Sequence, residues 1–154
     1  MKRFLLALFA SISLLHAQEG SPSPTPSAAP ETDTAAEASA RSSALELAGA
    51  FSNDGYKIRD GYYFGALEPG KSTLLEVNLF AGDEYWFCAA GNAPCRKLDV
   101  VVYNEKGAPV EQQSYVDGTK TAAGVVAGAS GKYFVKVTLA EGEKSTFCLI
   151  YCYK

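Results

Sequence analysis

From Gly61 to the C-terminus, apolar and polar residues alternate with a period of two, the signature of half-buried β-strands. The pattern predicts strands over Gly61–Leu67, Thr73–Phe80, Glu84–Ala89, Leu98–Asn104, Pro109–Tyr115, Thr121–Ala127, Lys132–Leu139 and Ser145–Tyr153. Turn formers separate them: Glu68-Pro69-Gly70, Ala81-Gly82-Asp83, Asn104 to Gly107, Asp117-Gly118, Gly128 to Gly131 and Glu141-Gly142. About eight short strands at this spacing predict an all-β, jelly-roll-like sandwich of antiparallel strands, not a βαβ fold. Parity assigns the core to Leu75, Val77, Leu79, Tyr85, Phe87, Leu98, Val100, Val102 and Val125, then to Tyr133, Val135, Val137, Leu139, Phe147, Leu149 and Tyr151. On the same parity Cys88, Cys148 and Cys152 face outward.

The pattern changes ahead of Gly61. Ala44, Leu47, Ala48 and Phe51 fall on one helical face, and Ser43 with Glu46 has the form of a capping box. A short helix within 42–54 is expected, ending at Asn53-Asp54-Gly55 and plugging one end of the sandwich. Residues 18–41 hold four of the seven prolines and no large apolar side chain, which predicts a disordered Pro/Ser/Ala-rich linker. Residues 1–17 carry Lys2-Arg3, the apolar run Phe4 to Leu15 and small Ala17, the three parts of a secretory signal peptide. That run is too short for the ~20 residues of a spanning helix. The expectation is a secreted or periplasmic protein with no membrane insertion after cleavage.

Export narrows the chemistry. His16 is the only histidine and lies in the signal segment, so the mature chain would lack an imidazole for a Ser-His-Asp triad or a zinc site. No metal, no cofactor and no catalytic residue is expected. From Arg41 onward 12 basic residues stand against 13 acidic ones, without the basic patch that nucleic acid demands. Cys88, Cys95, Cys148 and Cys152 are even in number and would sit in an oxidising compartment, which predicts two disulfides. Cys148 and Cys152, about 13 Å apart along one strand, exceed the ~7 Å limit for bridging each other. Each therefore pairs with Cys88 or Cys95, and an antiparallel arrangement favours Cys88–Cys152 with Cys95–Cys148.

The succession from Gly82, with Tyr85 and Phe87, through Leu98-Asp99-Val100-x-Val102-Tyr103 to Gly107, then Gly131-x-Tyr133-x-Val135-x-Val137 and a closing aromatic strand, resembles the bacterial pre-peptidase C-terminal domain. The likeness covers about residues 60–153 and extends to stand-alone secreted versions with a short helix in front. It implies a jelly-roll-like sandwich that is appended to secreted enzymes and binds substrate polymers or is trimmed off during maturation. Where that family often has an acid two residues before the position of Asp99, this chain has Lys97, which argues against the calcium site some members use.

Among candidate groups, Asp83-Glu84 lies in a turn, and Asp99 interrupts an apolar strand, where a carboxylate must be paired or wet. Arg96 or Lys97 would pair it. Trp86, Tyr62, Tyr103, Tyr115 and Tyr153 point outward by parity, and the first four are the candidate ligand-binding residues, able to stack on sugar rings or contact a protein. The expected function is a non-catalytic binding or accessory module for extracellular polysaccharide or an envelope protein. A structural or assembly protein of the envelope is the alternative. A thiol enzyme built on Cys95 beside Arg96 and Lys97 is a remote third.

Overall fold

The structure, a computed structural model, describes residues 34–154. The expected signal peptide, and the expected linker up to residue 33, lie outside the described residues. Among these there is one helix, α1 (Ala35–Ser52), and nine strands. The strands are β1 (Lys57–Ile58), β2 (Tyr63–Leu67), β3 (Ser72–Leu79), β4 (Glu84–Gly91), β5 (Cys95–Asn104), β6 (Gln113–Asp117), β7 (Lys120–Val126), β8 (Gly131–Gly142) and β9 (Ser145–Tyr153).

They form an all-β sandwich of two antiparallel sheets. The larger runs β1-β9-β4-β7-β6, with β2 also pairing β9, and the smaller runs β3-β8-β5. β1 and β2 share one edge of β9: β2 takes Ser145 to Leu149 and β1 takes Cys152 and Tyr153. The core between the sheets is the one that alternation assigns. Val77, Leu79, Tyr85, Phe87, Leu98, Val100, Val102, Val125, Tyr133, Val135, Val137, Leu139, Phe147, Leu149 and Tyr151 are all buried there, and Leu75 packs on its margin.

Three expectations change. The strand expected over Pro109–Tyr115 starts at Gln113, and Pro109 makes a single bridge to Tyr103. The carboxamide of Gln112 occupies the edge of β5 instead: Val102 N donates to Gln112 Oε1 at 3.0 Å, and Gln112 Nε2 donates to Val100 O at 2.9 Å. A side-chain amide thus satisfies main-chain groups that a further strand would otherwise pair.

The helix is the second change. It starts at Ala35, so residues 34–41 are helical cap and helix instead of linker, and the capping box is Thr34 with Glu37 instead of Ser43 with Glu46. Glu37 N donates to Thr34 Oγ1 at 3.3 Å and Thr34 N donates to Glu37 Oε2 at 2.8 Å. A stretch without large side chains reads as tether, yet alanine is the best helix former, and Ala40 and Ala44 are fully buried.

The third change is where the helix sits. It does not plug an end of the sandwich; it lies across the outer face of the larger sheet, against β9 and β4. There Ala40, Ala44, Leu47 and Ala48 close over Cys88, Ala90, Ala122, Cys148, Ile150 and Cys152. The cause is legible in β9, where Phe147 to Cys152 is apolar at every position, and a strand apolar on both faces needs cover on both. Phe51 completes the cover by stacking on Trp86, with ring centroids 4.4 Å apart and planes 18° apart.

Gly124, opposite Trp86 in β7, gives the indole its place. A Cβ there would meet the Trp86 ring at 2.8 Å. Gly124→Ala is therefore expected to displace Trp86 from Phe51 and destabilise the fold by about 1–3 kcal/mol, the usual cost of overpacking. Urea unfolding followed by tryptophan fluorescence measures this on the single tryptophan.

Candidate functional site

The four outward aromatic residues do not form one row. Trp86 is half-buried beneath α1 and stacked on Phe51. Tyr62 stands beside the helix, where Arg41 lies 5.3 Å from its ring centroid and donates to its hydroxyl at 3.2 Å. Tyr115 is exposed in edge strand β6, its hydroxyl 3.5 Å from Asp117 Oδ2. Tyr103 belongs to β5, in the other sheet. Parity orients each side chain, but it does not say which sheet the helix covers.

The thiols are free, so neither expected disulfide is present. All four are buried, but in two places. Cys88, Cys148 and Cys152 lie under the helix, whereas Cys95 belongs to the core between the sheets. Cys95–Cys148 is thereby corrected: the two side chains occupy opposite faces of the larger sheet. The nested pairing assumed that the segments carrying Cys95 and Cys148 run side by side, whereas β5 crosses to the smaller sheet and pairs β8. Cys88 is in register with Ile150, which puts Cys148 and Cys152 diagonally to either side of it.

The Cys88 thiol donates to Trp86 O at 3.9 Å, and that of Cys152 to Ala48 O at 3.8 Å, an anchor between sheet and helix. The neighbouring Cys152 thiol, with burial added, holds Cys88 above the ordinary thiol range, and Cys88 in turn lowers Cys152. Burial raises Cys95 as well, which opposes the thiolate that a Cys95 nucleophile needs.

The acids also separate. Tyr85 donates to Asp83 Oδ2 at 3.2 Å, and Glu84 accepts from Tyr56 at 2.6 Å and pairs with Lys154 at 3.3 Å. Those two partners hold the Glu84 carboxyl below the usual carboxylate range. Asp99 is half-buried, in register with Thr138, and makes no ion pair with Arg96 or Lys97, so the expected pairing is not formed. No group of three or more His, Cys, Asp or Glu among the described residues is arranged to hold a metal ion.

Among the described residues, no element covers the outer face of the smaller sheet. Its side chains lie in cross-strand rows: Leu74, Lys136 and Val101 in one, Glu76, Phe134 and Tyr103 in the next. Leu74 is 57% exposed, and Val101, Tyr103, Phe134 and Lys136 are half-buried. Lys136 Nζ stands 5.4 Å from the Tyr103 ring centroid, a cation–π contact that keeps the ring on the surface. Sequence reasoning names Tyr103 but misses Phe134 and Val101, which sit at outward positions of their strands with the helix on the opposite side of the sandwich. Their signal is present: both are apolar at positions where parity expects polar residues.

No protein-family model matches the chain, and comparison with curated proteins finds no relative. No helix among the described residues is long and apolar enough to cross a membrane.

Proposed function

We propose that the protein is a non-catalytic, exported β-sandwich module that binds a polysaccharide or protein surface, akin in role to the pre-peptidase C-terminal domains its sequence resembles. The observation that carries this reading is the outer face of the β3-β8-β5 sheet, uncovered among the described residues, with Tyr103, Phe134, Val101 and Leu74 beside Lys136. Flat surfaces of this composition offer large apolar contact at low entropic cost, with hydroxyl and ammonium groups to orient a ligand. The separated acids and buried thiols are consistent with binding without catalysis.

The test is co-sedimentation of the purified chain with insoluble cellulose, chitin, peptidoglycan and collagen. Tyr103→Ala is expected to weaken retention about thirtyfold, the scale of one aromatic hot spot, while leaving the unfolding midpoint nearly unchanged. Failure to sediment with any matrix, or equal retention of the variant, overturns the reading.

A second reading, assembly in the envelope, rests on β6. All five of its residues are exposed, it pairs only β7, and it carries neither proline nor lysine, the usual guards of a strand edge. Sedimentation velocity separates the two readings, since a size that grows with concentration favours assembly.

A further inference from the structure

Beside the open face lies a notch of about 400 Å³ where the two sheets part, between β2 at the edge of one and β3 at the edge of the other. We infer that this notch binds one uncharged pyranose residue of a carbohydrate, held by Arg59, Asp60, Tyr63, Asn78 and Tyr151. The inference goes beyond the reading above, because Val101, Tyr103, Phe134 and Lys136 take no part in the notch and either surface can fail alone.

The first reason is the state of the polar groups. Several charged side chains elsewhere on the surface are held in ion pairs: Glu46 with Lys120, Glu68 with Lys144, Glu84 with Lys154. In the notch, Glu76 alone has such a partner, Lys132 at 2.9 Å. The Asp60 carboxylate, the Asn78 amide and the Tyr63 and Tyr151 hydroxyls make no hydrogen bond or ion pair within the described residues. Tyr151 is only 6% exposed, yet its hydroxyl is not a buried unpaired group, so it opens onto the notch.

The second reason is that the groups are held in place. The Arg59 guanidinium lies 5.6 Å from the Tyr151 ring centroid, and Arg59 N donates to Tyr151 O at 3.0 Å. Stacking on a ring instead of a carboxylate fixes the guanidinium and leaves its N–H donors available. Gly61, at φ +102°, turns the loop back so that Asp60 and Tyr63 border the same space.

The third reason is chemical fit. A sugar hydroxyl both donates and accepts, so its site needs both kinds of partner. Arg59 supplies donors, Asp60 acceptors, and Asn78 and the two phenols supply both. The half-buried ring of Tyr63 faces the C–H side of a pyranose, while Tyr151, buried with Arg59 against its ring, offers only its hydroxyl. The volume falls at the low end of the ~300–1,000 Å³ of small-molecule sites, which suits one or two sugar units. Asp60, with Glu76 at the rim, disfavours a carboxylated sugar, and the polar lining disfavours an aliphatic ligand.

The test is an NMR titration of the isotopically labelled full chain with methyl glucoside, methyl galactoside, N-acetylglucosamine and, as the charged probe, sodium glucuronate. At least one neutral sugar is expected to shift the amides of residues 59–63, 76–78 and 151 saturably, and glucuronate to bind about tenfold more weakly. Arg59→Ala and Asn78→Ala, both at exposed positions, are each expected to weaken binding about tenfold, the scale of a lost hydrogen bond, with the amide spectrum otherwise retained. Tyr103→Ala is expected to leave the titration unchanged. The inference fails if no neutral sugar moves these amides, if glucuronate binds more tightly than the neutral sugars, if the shifts map to the open face, or if both notch variants bind as the parent does.

Discussion

Phe87→Ala is expected to lower stability by about 3–5 kcal/mol, the range for emptying an aromatic site in a packed core. Phe87 is fully buried between the sheets, with its ring centroid 5.3 Å from that of Tyr151 and 6.4 Å from that of Tyr85. Its neighbours are held from both sides. Tyr85 donates to Asp83 and accepts from Phe80 N at 2.9 Å, and β4 is paired to β7 and β9 along its length. The site therefore cannot collapse to fill the space, and the cavity penalty adds to the lost transfer energy. A folded unit of this size lies between the ~4–8 °C per kcal/mol of smaller domains and the ~2–4 °C of larger ones, so the melting midpoint falls by roughly 10–20 °C. Differential scanning calorimetry checks this; a loss below about 1 kcal/mol would mean that the two sheets do not share one close-packed core.

Leu47→Lys is expected to unseat the helix and expose three thiols while sparing the fourth. Leu47 is buried over Cys88, Cys148 and Cys152. A lysine there either buries an ammonium in an apolar layer, at a cost of several kcal/mol, or lifts the helix into water. The second is cheaper, because the helix gains most of its stability from packing and little from itself. Alkylation of the folded variant with iodoacetamide, followed by peptide mass analysis, should label Cys88, Cys148 and Cys152 within minutes. Cys95, between the sheets, should be protected until global unfolding, and the parent should protect all four. Equal labelling of Cys95 would show that the whole sandwich has opened and would refute the lid role of the helix.

The two predictions divide the protein along the line that separates what was legible in the sequence from what was not. Alternation along each strand settles which side chains face inward, because the β period of two is local and is written in consecutive residues. Hence Val77, Phe87, Val102, Val135 and Leu149 are identifiable as core without knowing which strands pair. The helix face of Ala44, Leu47, Ala48 and Phe51 is local in the same way, and so is the outward parity of Cys88, Cys148 and Cys152.

Pairing and layering are not local. Only the tertiary structure decides that α1 covers the larger sheet, which hides Trp86 and buries three thiols that parity places outside. Only the exchange of β5 into the smaller sheet separates Cys95 from Cys148 and leaves Tyr103 beside Phe134 on an open face. The notch follows the same rule: Arg59, Asn78 and Tyr151 lie on three segments distant in sequence, and they converge because two sheet edges part beside them. Sequence by itself thus determined the orientation of side chains within each element, an outcome of backbone geometry. The choice of which outward faces are covered and which stay in water depended on how far-apart segments pack to remove the most apolar surface from solvent.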